Sequence, residues 1–254
     1  MTNRTNPLDL SGRTVLVTGG SSGIGRETAI VLSELGARVI VTGRKTEQLE
    51  ATLERMVTGN HAIEPFDLTD LEAVPAWVKS VAQRHGPLDG LVHAAGIRIT
   101  MGLRGMSVQI LHETFRVNLD SGVMLAKGFR QKGCCGASAS LVLFSSVAAI
   151  VGAPATAAYA ASKGAVIALT KSLASELARE GIRVNCIAPG MVESEMTEHF
   201  RRTLTDDQFA GLVARHPLGL GTTWDVACAA AYLLSDAGRW MTGHTLVLDG
   251  GFSS

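Results

Sequence analysis

The stretch Thr14-Val15-Leu16-Val17-Thr18-Gly19-Gly20-Ser21-Ser22-Gly23-Ile24-Gly25 decides the fold. An apolar, largely β-branched run leads into a glycine-rich turn, and a segment of helical length, Gly23 to Leu35, follows and stops at Gly36. Glycines at such a strand end let the chain turn tightly and let a pyrophosphate approach the N–H groups that open the helix. The spacing is GxxxGxG, not GxGxxG, and alone such a turn also has a purely structural reading. The strand before it and the helix after it favour the phosphate reading.

The same alternation continues outward from this stretch. Further candidate strands are Arg38 to Thr42, His61 to Phe66, Leu88 to Ala94, Ser140 to Ser145, Ile182 to Ile187 and His244 to Asp249. Most are nearly all apolar, as parallel strands covered on both faces must be. Helical segments separate them, among them Thr156 to Glu180, ending at Gly181. The expected class is α/β: a single Rossmann-type doubly wound parallel sheet of about seven strands flanked by helices. No spacer, charge block or repeat interrupts the pattern, so residues 1–254 read as one domain. Met191 to Pro217 falls outside the rhythm and mixes apolar residues with charges. It reads as a small lid over a site, with an ordinary surface helix pair as the alternative.

Composition narrows the function. The 254 residues carry 23 Lys plus Arg against 23 Asp plus Glu, a net charge of zero. Such a surface has no bulk field for nucleic acid or an anionic membrane, so neither is an expected partner. The uncharged stretch Gly133 to Ser162 is broken by glycine, serine and proline, and reads as a buried strand, a loop and a helix start rather than a membrane span. Cys134, Cys135, Cys186 and Cys228 lack CxxC spacing, so no metal is expected and the thiols read as those of a reducing compartment. The first dozen residues have no apolar signal region, and a cytoplasmic location is expected.

The glycine spacing begins a series of ordered landmarks: Asp67, Ala95-Gly96, Asn118, Ser146, Tyr159-Ala-Ala-Ser-Lys163, Asn185 with Pro189-Gly190, and Asp249-Gly250-Gly251. With them the chain resembles the short-chain dehydrogenase/reductase family over residues 10 to 254, and is similar overall to its 3-oxoacyl thioester reductases. The resemblance implies a nicotinamide cofactor cradled by Thr18, Gly19, Ser21, Ser22, Gly23, Ile24 and Gly25. It implies Asp67 and Leu68 at the adenine, Ala95 and Gly96 beside its ribose, and Pro189, Gly190, Val192 and Ser194 toward the nicotinamide. Charge argues for NADP(H): the second strand ends at Gly43-Arg44-Lys45, with no acid until Glu47. A guanidinium can pair with a 2′-phosphate that a carboxylate would repel, so Arg44 is the expected contact, with Lys45 or Arg26 assisting.

Tyr159 and Lys163 are four apart on one expected helix and share a face. A neighbouring ammonium favours the phenolate, which would pull the tyrosine pKa down toward usefulness as an acid-base group. The family pattern implies Tyr159 as proton donor to a carbonyl, Lys163 also holding the nicotinamide ribose, and Ser146 hydrogen-bonding the substrate oxygen. It makes Asn118 the fourth catalytic residue, kinking its helix and holding a water in a proton relay. His93-Ala94 replaces a frequent pair of asparagines and puts a strand-tying hydrogen bond in doubt. Ile97, Ile99, Met101, Val147, Ala148, Ala149, Met191 and Val192 resemble an apolar substrate wall, suiting a small-molecule carbonyl substrate, carrier-linked or free. Arg201-Arg202 would meet a carrier or be merely solvated. Three readings follow: an NADPH-dependent ketone reductase, an alcohol dehydrogenase oxidising a secondary alcohol, or a silent cofactor-binding regulator. Small residues along the Tyr159 helix permit close contact between subunits, and the family implies a homotetramer.

Overall fold

The computed structural model describes residues 6–254. The elements are β1 (Thr14–Thr18), α1 (Gly23–Glu34), β2 (Arg38–Thr42), α2 (Thr46–Leu53), β3 (Ala62–Ile63), α3 (Val74–His85), β4 (Leu88–His93), α4 (Val108–Phe115), α5 (Ser121–Phe129), β5 (Cys135–Phe144), α6 (Ala157–Leu177), β6 (Arg183–Pro189), β7 (Val192–Glu193), α7 (Glu195–Arg201), α8 (Asp206–Ala214), β8 (Gly221–Thr222), α9 (Thr223–Leu234) and β9 (Thr245–Leu248). Seven strands form one parallel sheet in the order β3-β2-β1-β4-β5-β6-β9, and β7 pairs with β8 apart from it. The order reverses between β1 and β4, where Thr18 stands beside His93. A crevice at the carboxyl ends of the strands at such a reversal is where doubly wound sheets bind ligands.

The strands are apolar throughout because successive side chains enter two different cores. Val15 and Val17 of β1 and Val39 and Val41 of β2 join one core, with α1 and α9. Leu16 and Ile40 join the other, with α3, α5 and α6. The expected strand at His61 to Phe66 shrinks to Ala62–Ile63, because Pro65 has no N–H to donate. Its flanking residues still bond β2 and its end, from Glu64 N–H to Val41 and from Phe66 N–H to Gly43. The strand expected at Ser140 starts at Cys135, with an irregularity in its pairing between Leu88 and Gly90. Within Met191 to Pro217 the protein builds β7 and the two helices α7 and α8, neither of which has a buried residue.

Candidate active site

The glycine turn joins β1 to α1 as the sequence implied. A β-carbon on Gly25 would collide with the Gly19 carbonyl, and one on Gly19 would come within 2.7 Å of the Ala95 nitrogen, so the turn closes only on glycine. The Gly23 N–H, at the start of α1, points outward and donates to the Glu195 carboxylate at 2.9 Å. An anionic oxygen is thus held where helix N–H groups and dipole favour one, which fits the expected pyrophosphate. Sequence reasoning missed Glu195, since nothing in its local pattern links α7 to the turn. Arg26, offered as a helper for a 2′-phosphate, is instead engaged with the Ser21 carbonyl, Thr52 and Glu195.

Arg44 and Lys45 lie exposed beyond β2, and Arg44 makes no hydrogen bond or ion pair with any described residue. The Asp67 carboxyl is held below its usual range, first by the Thr69 backbone N–H and also by the Arg44 and Arg116 charges. Leu68 beside it is buried in the sheet core. Thr18 is fully buried, and its hydroxyl serves His93 and the Ala95 N–H, so its side chain ties strands rather than facing the crevice. Pro189 and Val192 are buried around Gly190, and Ser194 caps α7 by accepting from the Thr197 N–H at 3.3 Å. Among the described residues no group of three metal-binding side chains occurs.

The residues expected to be catalytic converge past the ends of β4 and β5. Tyr159 and Lys163 are both buried on α6, with the Lys163 nitrogen 6.0 Å from the Tyr159 ring centre. Lys163 donates to the Phe144 carbonyl at 2.8 Å, and burial pushes its pKa down to about 8. Ser145 is committed inward to the Lys163 carbonyl at 2.7 Å, which leaves Ser146 as the hydroxyl beside Tyr159. Asn118 sits in a π-turn, Arg116–Asp120, that joins α4 to α5. Its amide accepts from the Ile97 N–H at 2.8 Å and donates to the Ile97 carbonyl and to Ser162. The kink is as expected, and both side-chain donors are engaged in positioning. A β-carbon on Gly96 would stand 3.2 Å from the Asn118 side chain and 3.4 Å from that of Lys163, so a larger residue would crowd both.

Two expectations change here. Tyr159 is raised, not lowered: burial dominates, opposed by Ser146 and by the charge of Arg98. Arg98, rather than Lys163, is therefore the cation acting on the phenol. The sequence reading took Ile97 and Ile99 for an apolar wall and passed over the arginine between them; a charge inside an apolar run at a strand end was the available signal. The second change concerns His93, which does tie the sheet. Its Nδ1 meets the Thr18 hydroxyl at 2.8 Å and its Nε2 the Ser121 hydroxyl at 3.0 Å. Because Ser121 donates to the Val117 carbonyl, Nε2 carries the proton and Nδ1 accepts. Arg201 and Arg202 are partnered within the protein, by Asp206 and Glu198.

Residues 19–253 match the family model described as enoyl-(acyl carrier protein) reductase. The chain is 36% identical over 246 residues to a 3-oxoacyl-[acyl-carrier-protein] reductase of Rickettsia conorii, covering 96% of this chain and 98% of that one. The chain belongs to the short-chain dehydrogenase/reductase family. This short-chain dehydrogenase/reductase is an oxidoreductase of the kind that interconverts ketones and alcohols. A Sinorhizobium meliloti dehydrogenase/reductase superposes with a TM-score of 0.89 at 30% identity, over 98% of both chains. A point variant of an actinorhodin polyketide ketoreductase, solved with NADPH, gives 0.88 at 31% identity, over 95% of this chain and 97% of that one.

Proposed function

We propose that this short-chain dehydrogenase/reductase reduces a ketone to a secondary alcohol with NADPH, Tyr159 being the proton donor. The observation that carries the reading is the buried Tyr159 with Ser146 and Lys163 around it, on a chain that also carries the glycine turn. Bound NADP(H) supplies the hydride. Burial keeps the Tyr159 phenol protonated at neutral pH, which suits it to give its proton to a carbonyl oxygen gaining negative charge. Ser146 holds that oxygen with its hydroxyl, Arg98 favours the phenolate left behind, and Lys163 would hold the nicotinamide ribose. Asn118 fixes the backbone at Ile97, which shapes the crevice; its part in a proton relay belongs to the same proposal.

The residues proposed to hold the cofactor are the turn from Thr18 to Gly25, then Asp67, Leu68, Ala95, Gly96, Pro189, Gly190, Val192 and Ser194. Arg44, with Lys45, selects the 2′-phosphate; that it has no partner among the described residues supports this. The 3-oxoacyl thioester is one candidate substrate, by likeness to the Rickettsia reductase. α7 and α8 serve as the lid, and the absence of buried residues on either makes their movement inexpensive. Small residues on the outer side of α6, together with the exposed apolar side chains Leu218, Trp240 and Val247, support a homotetramer, since closed assemblies of this kind use two interfaces. Its four free cysteines support a reducing, cytoplasmic setting.

The test is NADPH oxidation over a panel of 3-oxoacyl thioesters, cyclic ketones, diketones and oxo acids. Turnover is expected, with Tyr159→Phe lowering kcat by about a hundredfold or more. Arg44→Ala should weaken NADPH binding about tenfold while leaving NADH binding nearly unchanged. Activity of Tyr159→Phe within tenfold of the native protein would contradict the proton-donor role.

A further inference from the structure

Arg98 follows Gly96-Ile97 at the exit of β4, half-buried against the catalytic tyrosine. Its guanidinium carbon lies 4.0 Å from the centre of the Phe200 ring on α7 and 5.7 Å from that of Tyr159. Among the described residues it makes no hydrogen bond and no ion pair, and its Nε is sealed from solvent without a partner. The other charged group at the Tyr159 ring, Lys163, is also a cation and offers Arg98 no acceptor. A guanidinium holds five N–H donors in a planar fork, and burying such a charge without an acceptor is unfavourable. Stacking on Phe200 engages the face of the group and leaves the in-plane donors unmatched. A fork of this shape matches a carboxylate, bound by two parallel hydrogen bonds.

We infer that Arg98 selects ketone substrates bearing a free carboxylate close to the reacting carbonyl, that is, short 2-oxo or 3-oxo acids. This rests on the reductase reading and narrows its substrate. The nearness of Arg98 to Tyr159 sets the length: a carboxylate on the fork and a carbonyl at the phenol are separated by only one or two carbons. The phosphate of a pantetheine arm is more than a dozen bonds from its thioester and does not reach this position. A 3-oxoacyl thioester would offer the fork only a neutral carbonyl, a weaker acceptor. Phe200 closes over the guanidinium from the lid, so the bound carboxylate would be shielded from water, where a charge-assisted pair is stronger.

The experiment compares kcat/KM for NADPH-dependent reduction of 2- and 3-oxo acids with that of their methyl esters and thioesters. It uses the native protein, Arg98→Met and Arg98→Lys. The native protein should prefer the acid at least tenfold. Arg98→Met should lose about a hundredfold more on the acid than on the ester, the difference lying mainly in KM, while any loss common to both reports the charge lost beside the Tyr159 phenol; Arg98→Lys should be partly restored. Equal losses on acid and ester, or a native preference for the ester or thioester, would overturn the inference and leave the reductase reading intact. A second readout needs no turnover: butyrate, but not butyramide, should raise the Tm of the native protein and not of Arg98→Met. If no ketone is reduced yet this stabilisation holds, the reductase reading fails and carboxylate capture by Arg98 stands; if butyrate acts alike on both proteins, the capture fails.

Discussion

A single histidine shows how one residue can take over a role that its sequence context put in doubt. His93 stands where the family pattern often has asparagine, yet it bridges β1, through Thr18, and α5, through Ser121. Burial, and secondarily the Lys163 charge, push its pKa down to about 3, so it is neutral in the folded protein. A folded-state pKa below the unfolded value means the unfolded chain binds the proton more readily as pH falls. The stability is complete above about pH 6.5 and declines at lower pH, by about 2 kcal/mol between pH 7 and pH 5. Tm measured across that range should therefore fall in the native protein and fall less in His93→Asn; parallel slopes would exclude His93 as the source. Arg98 teaches the complementary lesson. Its identity was plain in the sequence, but its direction was not, because a residue beside a strand end can point to solvent or to the site, and only the position of Phe200 and Tyr159 decides which.

At the level of elements, β1, β2 and α1 were legible to within a residue, since apolar runs and glycine stops are local signals. The kink at Asn118 was legible only through the family resemblance. What no local signal carried was the contact between α7 and the start of α1. Glu195, the first residue of α7, accepts from the Gly23 N–H and from Arg26, so the lid and the expected pyrophosphate compete for one donor. The pair with Arg26 is exposed and weak, so its loss has little effect on folding. Glu195→Gln removes the competing charge and should tighten NADPH binding about threefold or more, read by fluorescence titration. Unchanged or weaker binding would show that the carboxylate does not compete. Glycine use has the same origin in contact between elements: a β-carbon on Gly128 would press within 2.8 Å of Val78, so the close approach of α5 to α3 at that point needs glycine.

For the whole molecule, the exposed side of α6 carries Ala157, Ala161 and Ala168. An added β-carbon at Gly164, on the same helix, would meet no described atom within 4 Å. The single chain thus has room for a larger residue at that point, whereas a helix packed there from a second copy would not allow one. Gly164→Leu should retain the native circular dichroism spectrum while lowering the molar mass in light scattering from tetramer to dimer or monomer. An unchanged tetramer would place the contact elsewhere, with exposed apolar residues such as Leu218 and Trp240, 86% and 96% exposed, as candidates.

The sequence by itself determined the doubly wound class and the strand that opens into the glycine turn, which rest on periodicity and on short spacings that a linear chain displays directly; Asn118, Ser146, Tyr159 and Lys163 were singled out through the family resemblance. The tertiary structure decided what depends on groups far apart in the chain: the His93 bridge, the Glu195 carboxylate on the turn, the raised pKa of Tyr159 and the inward direction of Arg98. Each is set by burial and by a partner dozens of residues away, and neither quantity exists until the sheet brings the ends of β1, β4 and β5 together.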